Sequence, residues 1–206
     1  MFRTIFGGIA AAMLASPLCA APFTVRVVDS SGKPVRDAVV TVRPAGNAAK
    51  APRQGGHFVV SQKNMQFHPF VTVIPVGANV SFPNFDSSKH HVYSFSPAKQ
   101  FELKLFARDQ SRSVHFDKPG VVALGCNIHD QMTAFIVVTD SAWTAKTNGH
   151  GVASLGDIPN ARAKVTVWHP YMRAPGNAVS RVIAPGDRGE GFKVALRPPP
   201  MAMPDY

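Results

Sequence analysis

"FDKPGVVALGCNIHDQM" (116–132) reads as a Pro-Gly turn, a β-strand and a short loop, with Cys126, His129 and Met132 at intervals of three. Side chains alternate across a strand, so Val122, Leu124 and Cys126 share one face and the sulfur points to the apolar side. His129 and Met132 then occupy the loop before "AFIVV" (134–138) resumes the strand pattern. A thiol, an imidazole and a thioether thus come from one loop closing a β-sandwich. A Cys-x-x-His pair alone is weak evidence, because a lone cysteine often serves as a small buried hydrophobe.

Context sharpens the reading of that cysteine. "MFRTIFGGIAAAMLASPLCA" (1–20) has one Arg, an apolar run and a small-residue end, the layout of an export signal with cleavage after Ala20. A lipid anchor on Cys19 is disfavoured by the large Leu18 before it. Cleavage leaves Cys126 as the single thiol of a mature chain in an oxidising, periplasmic compartment, where unpaired thiols are normally paired or absent. A thiolate held by a soft metal accounts for it. No later segment has the ~18 apolar residues of a membrane span. The 22 Lys and Arg against 12 Asp and Glu favour an acidic partner. Nucleic acid is not expected as the partner of an exported chain that lacks a basic motif interleaved with aromatics.

The pattern predicts an all-β fold. "FTVRVV" (23–28), "DAVVTV" (37–42), "FVTVIPV" (70–76), "ANVSF" (78–82), "HVYSF" (91–95), "FELKLF" (101–106), "VVALGC" (121–126), "AFIVV" (134–138) and "AKVTVWH" (163–169) are short and rich in Val, Phe and Thr. "GFKVAL" (191–196) is a candidate edge strand, whereas "YMRAPGNAVSRVIAPGDRG" (171–189) reads as loop. Two outer segments, "FTVRVVDSSGKPVRDAVVTVRP" (23–44) and "TNGHGVASLGDIPNARAKVTVWHP" (147–170), resemble the opening and closing parts of a transthyretin-like or carboxypeptidase-regulatory-like sandwich. Neither is complete alone. The expected organisation is a signal (1–20), a split Ig/transthyretin-like sandwich (21–56 plus 141–197), an inserted sandwich (57–140) and a proline-rich tail (198–206). One domain followed by a C-terminal module is the competing arrangement.

A metal site needs a second imidazole, and "SSKHHVYSFS" (87–96) offers two candidates. His90 shares a face with Val92 and Ser94, His91 with Tyr93 and Phe95, and alternation does not decide which ring meets the sulfur. One Cys, two His and a weak axial Met is the donor set of a blue-copper centre. Three stretches carry a family resemblance: "MQFHPFVTVIPVGANVSFPNFD" (65–86), "HHV" (90–92) and the quoted 116–132 segment. Residues 65–138 resemble a cupredoxin, the plastocyanin and amicyanin class of small blue-copper proteins. The whole chain resembles the bacterial proteins labelled methylamine utilization proteins.

The resemblance implies a cupredoxin-like Greek-key β-sandwich. It also implies one copper ion, cycling between Cu(I) and Cu(II), on His90, Cys126, His129 and Met132. The implied role is a periplasmic one-electron carrier, not an enzyme, with an acidic redox partner. Phe85, Ile128 and Phe135 would form an apolar docking patch around His129. Departures from the family pattern are His91 in place of Asn, Ile128 in place of Pro, and Gly125 before the cysteine. A copper-delivery protein and a metal-free scaffold are the alternative readings. Asn84 and Asp86 are expected to shape the loop that delivers His90. His68 and Met65 read as strand residues, Trp143 and Trp168 as packing of the outer sandwich. His57, His115, His150 and His169 read as solvated.

Overall fold

The computed structural model describes residues 22–46 and 55–198. The export signal, Cys19 and all but Pro198 of the proline-rich tail lie outside the described residues. The described residues are almost entirely β-strand and loop, with a 3₁₀ turn at Pro175–Asn177. No helix among them is long and apolar enough to cross a membrane.

Among the described residues, seventeen strands follow in chain order. They are β1 (Phe23–Asp29), β2 (Val39–Pro44), β3 (His57–Val59), β4 (Ser61–Lys63), β5 (Gln66–His68) and β6 (Val71–Pro75). Next come β7 (Ala78–Pro83), β8 (His90–Ser96), β9 (Lys99–Phe106), β10 (Ser111–Phe116), β11 (Gly120–Cys126) and β12 (Thr133–Thr139). The last are β13 (Trp143–Lys146), β14 (Val152–Leu155), β15 (Ala163–Trp168), β16 (Ala178–Ile183) and β17 (Gly189–Val194).

The four larger sheets stack in layers held by three apolar clusters. Strands β14-β1-β17 and β13-β2-β15-β16 share a core that includes Val25, Val27, Val40, Val165 and Phe192. Strands β6-β12-β11-β8-β9 and β10-β7-β3 share another, with Ile74, Phe82, Phe106, Phe116, Val122 and Ile136 fully or almost fully buried. Both clusters follow from period-2 patterning, in which alternate Val, Ile and Phe side chains leave water for one face. The hairpin β4-β5 pairs separately. Strand β6 lies parallel to β12, so the first and last strands of the five-stranded sheet's chain segment are neighbours.

The third cluster joins the layers. Val39 and Trp168 of the four-stranded sheet meet Val71, with Phe70, Val73, Val121, Phe135 and Val137 packed around them. Phe135 stands edge-on to Phe70 at 5.6 Å and to Trp168 at 5.8 Å between centroids, favoured aromatic geometries. Lys146 Nζ crosses the seam, donating to Val71 O at 2.8 Å while lying 2.7 Å from an Asp37 carboxylate oxygen. Trp143 packs the outer core as expected from its sequence context, whereas Trp168 belongs to this seam.

Two expectations change, and one strand appears where none was read. Residues 178–183, read as loop, form β16 against β15; their burial is low and the Arg181 guanidinium lies over Phe192, so the apolar alternation is muted. Residues 111–116, with five of six side chains short of full burial, form β10 against β7 for the same reason. His169, read as solvated, is only 6% exposed, and its Nδ1 accepts from the Tyr171 amide at 3.3 Å.

Burial pushes the His169 pKa below the ordinary 6.5, against the opposing pull of the Asp37 charge and a hydrogen bond with the Arg36 backbone. The folded state therefore favours the neutral ring. Its contribution to stability is complete above about pH 6.5 and is lost as pH falls through the lower folded value. Denaturant midpoints measured across that range should decline toward acid, and His169→Gln should flatten the decline. Gly151 gives a second expectation. With φ +70, its amide carbonyl accepts from Val27 N, and a Cβ there would sit 2.4 Å from Val27 O. Gly151→Ala should cost about 2–3 kcal/mol, read as a lowered unfolding midpoint.

Candidate metal centre

Cys126 ends β11 on the buried face with Val122 and Leu124, and is 2% exposed and unpaired. Register does the rest. Strand β11 pairs antiparallel with β8, Cys126 opposite Val92 and Gly125 opposite Tyr93. A register shift between His90 and Val92 on the β9 side loosens the start of β8, where His90 turns inward and is fully buried. Its Nδ1 lies 3.6 Å from Cys126 Sγ.

The loop after β11 brings His129 back over the same spot. Its ring sits 5.2 Å from that of His90, tilted by 56°, and one ligand atom from each of His90, Cys126 and His129 falls within 4.8 Å of the others. The Met132 amide donates to His129 O at 2.9 Å, closing the loop into a turn, and Met132 is buried at 1% exposure in the same core as Cys126. His91 faces the other way, its Nε2 3.0 Å from Glu102 Oε1 but not aligned for a hydrogen bond.

The donor set fits a soft metal. His129 Nδ1 is buried without a hydrogen-bond partner, an arrangement that costs free energy unless something else satisfies the nitrogen. The one sulfur and two imidazole nitrogens that converge there match copper's preferences, with a thioether in the same core. Zinc sites of the structural kind favour closed sets of Cys and His.

Behind His90 stands Asp86. Its Oδ2 lies 2.8 Å from His90 Nε2. The carboxylate also accepts from the Asn64 amide at 2.6 Å and the Met65 amide at 3.0 Å. Burial alone would raise its pKa; the Met65 amide, the His90 ring and the Asn64 amide outweigh that and hold it below the ordinary 3.8. Asn84 supports the same loop, accepting from Asp86 N and donating to Ser88 O and Phe106 O. Asp86 was expected only to shape the loop; its direct contact with His90 is new. The Asp-x-x-x-His spacing was the available signal.

The docking-patch expectation needs correction. Phe85 and Ile128 are 49% and 46% exposed, but Phe135 is packed into the seam against Trp168 and Phe70. Strand alternation sends Phe135 to the outer face of its sheet, and the neighbouring sandwich covers that part of the face. His68 and Met65 are exposed on the β4-β5 hairpin and its turn. His57, His115 and His150 are exposed.

No family model matches the chain, and no curated protein matches it. Among solved structures it is similar to a purple cupredoxin from Nitrosopumilus maritimus, at 21% identity and TM-score 0.36 over 41% of this chain and all of that one. It is also similar to a reduced Cu(I) amicyanin variant, at 20% identity and TM-score 0.38 over 48% of this chain and 99% of the other. A third is a copper-containing nitrite reductase from Thermus scotoductus, at 23% identity and TM-score 0.40 over 55% of this chain but 28% of that enzyme.

Burial of the sulfur has a direct consequence. In a chain lacking residues 1–20, Cys126 should react with a thiol reagent no faster than the protein unfolds. Labelling rates in increasing denaturant should track the loss of structure; rapid labelling of the folded chain would contradict the placement.

Proposed function

We propose that this chain is an exported, periplasmic type 1 copper protein that carries single electrons. His90, Cys126, His129 and Met132 are its ligands, His90 and His129 binding through Nδ1. The observation that carries the reading is the buried approach of His90 Nδ1 to Cys126 Sγ, with a ligand atom of His129 within 4.8 Å of one from each, beside a His129 Nδ1 that has no hydrogen-bond partner. The resemblance of the 65–138 segment to cupredoxins agrees with it. In this reading residues 57–140 are the copper domain, inserted in a split sandwich of 21–56 and 141–197.

Copper bound there would supply a one-electron couple. The chain's own contribution is rigidity and dryness. Two ligands sit on paired strands, β8 and β11, so they hold their separation whichever oxidation state they meet, and small rearrangement favours fast transfer. His129 is half-buried where His90 and Cys126 are fully shielded, which makes its ring the edge nearest solvent and the natural contact for a partner. The formal charge of +10, which falls to +9 once Arg3 leaves with residues 1–20, draws an acidic redox partner, with association weakened by salt. The role proposed is that of a carrier, not an enzyme.

Reconstituting the chain without residues 1–20 with Cu(II) should give an intense thiolate-to-copper band in the visible spectrum and one equivalent of tightly held metal. Cys126→Ser should abolish the band while leaving the far-ultraviolet spectrum unchanged. Bound but readily exchangeable copper without the band would favour copper delivery. A folded chain that takes no copper would leave the scaffold reading.

A further inference from the structure

The β4-β5 hairpin makes its turn in an unusual way. Lys63 pairs with Gln66, leaving a two-residue loop in which Asn64 and Met65 both have positive φ, 54° and 55°. Turns of this kind favour Asn then Gly, because a side chain at the second position is strained there. Met65, 49% exposed, gains no burial that would offset the strain. What the conformation does achieve is to aim two successive backbone N–H groups at one carboxylate, Asn64 N at Asp86 Oδ1 and Met65 N at Asp86 Oδ2. Consecutive amides arranged this way form an anion-binding nest.

The hairpin is fastened to the segment that bears Asp86. Gln62, fully buried, donates through Nε2 to Phe82 O at 3.2 Å, and its backbone carbonyl accepts from Phe85 N at 2.8 Å. Phe67 anchors the returning strand in the core of the five-stranded sheet. The nest is thus fixed relative to residues 82–86, and Asp86 in turn meets His90 Nε2 at 2.8 Å.

We propose that the Asn64-Met65 turn and Asp86 together form a positioning device for His90. The two amides hold the carboxylate, and the carboxylate accepts the Nε2 proton of His90. That fixes the ring in the tautomer whose Nδ1 lone pair faces Cys126 Sγ. Asp86 is a positioning residue, acting through His90, and the turn acts one step further out. A carboxylate on the far nitrogen also makes the imidazole a stronger donor, which favours the more highly charged state of a bound metal. The claim that this serves ligation rests on the copper reading above; the claim that the device orients His90 does not.

Two arms test the two claims separately. In the metal-free chain, nitrogen-15 histidine spectra and proton spectra at about pH 8, where a free imidazole is neutral, should show His90 as a single Nε2–H tautomer with an exchange-protected proton. Asp86→Ala should lose that protected proton, and Asp86→Asn should retain ring order in part, since an amide oxygen still accepts. Met65→Gly keeps positive φ and both amides, so His90 should be unchanged. Met65→Val, whose branched side chain resists positive φ, should weaken the His90 signal although it lies 25 residues away in sequence. With copper, Asp86→Ala should lower Cu(II) affinity about 10–100-fold and raise the reduction potential, with partial rescue in Asp86→Asn. Should Asp86→Ala fail to fold, Asp86→Asn and the two residue-65 variants still decide the question. Equal protection of the His90 proton in folded Asp86 variants, or identical His90 spectra for Met65→Val and Met65→Gly, overturns the device. A wild-type chain that shows the protected proton but takes no copper overturns the copper reading and leaves the device standing.

Discussion

The centre depends on the register between β8 and β11. With Cys126 opposite Val92, the inward face of one strand ends in a sulfur beside the point where the inward face of the next begins with an imidazole. A slip of one residue would turn every side chain of the moved strand to the opposite face, exchanging Cys126 for Gly125 or His90 for His91. The apolar cluster of Val122, Leu124, Val92 and Ile136 protects the register, because a slip would also expose those residues. Packing and site geometry are therefore specified by one pattern.

Burying imidazoles beside a thiol creates a polar problem inside an apolar core. For His90 the protein solves it with a chain of contacts leading outward, from ring to carboxylate to two main-chain amides at a hairpin tip. For His129 one nitrogen is left without a partner among the described residues. The asymmetry is informative: one ring is held from behind, the other is carried on a short loop closed by the Met132 amide. Unpaired buried polar atoms are rare in folded proteins, and a bound ion is one of the things that account for them.

Much of this was legible in the sequence because β-alternation is a strong signal when one face is dry. The face assignments of Val122, Leu124 and Cys126, and of His90 with Val92 and Ser94, follow from counting in twos. The choice between His90 and His91 does not follow from counting, since it needs to be known which face of β8 the core covers. Strands β10 and β16 escaped notice because their exposed side chains blunt the alternation. Phe135 and His169 were misjudged for a shared reason: their burial comes from packing and turns that join distant chain segments, which no local window reports. The Asp86–His90 contact was hidden in a spacing that also fits an ordinary turn.

The seam between the sandwiches sets a limit on traffic around the molecule. Val73, Val121, Phe135 and Val137 lie on the outward face of the five-stranded sheet and are already roofed by the neighbouring layer, leaving only the β8 and β9 half of that face open, with Phe95 78% exposed. On this sheet a visiting macromolecule can therefore come broadside over those two strands but not over β6 and β12, or else head-on toward the tip that carries Ile128 and His129. Whatever the visitor is, its choice of approach was narrowed when the two halves of the chain closed against each other.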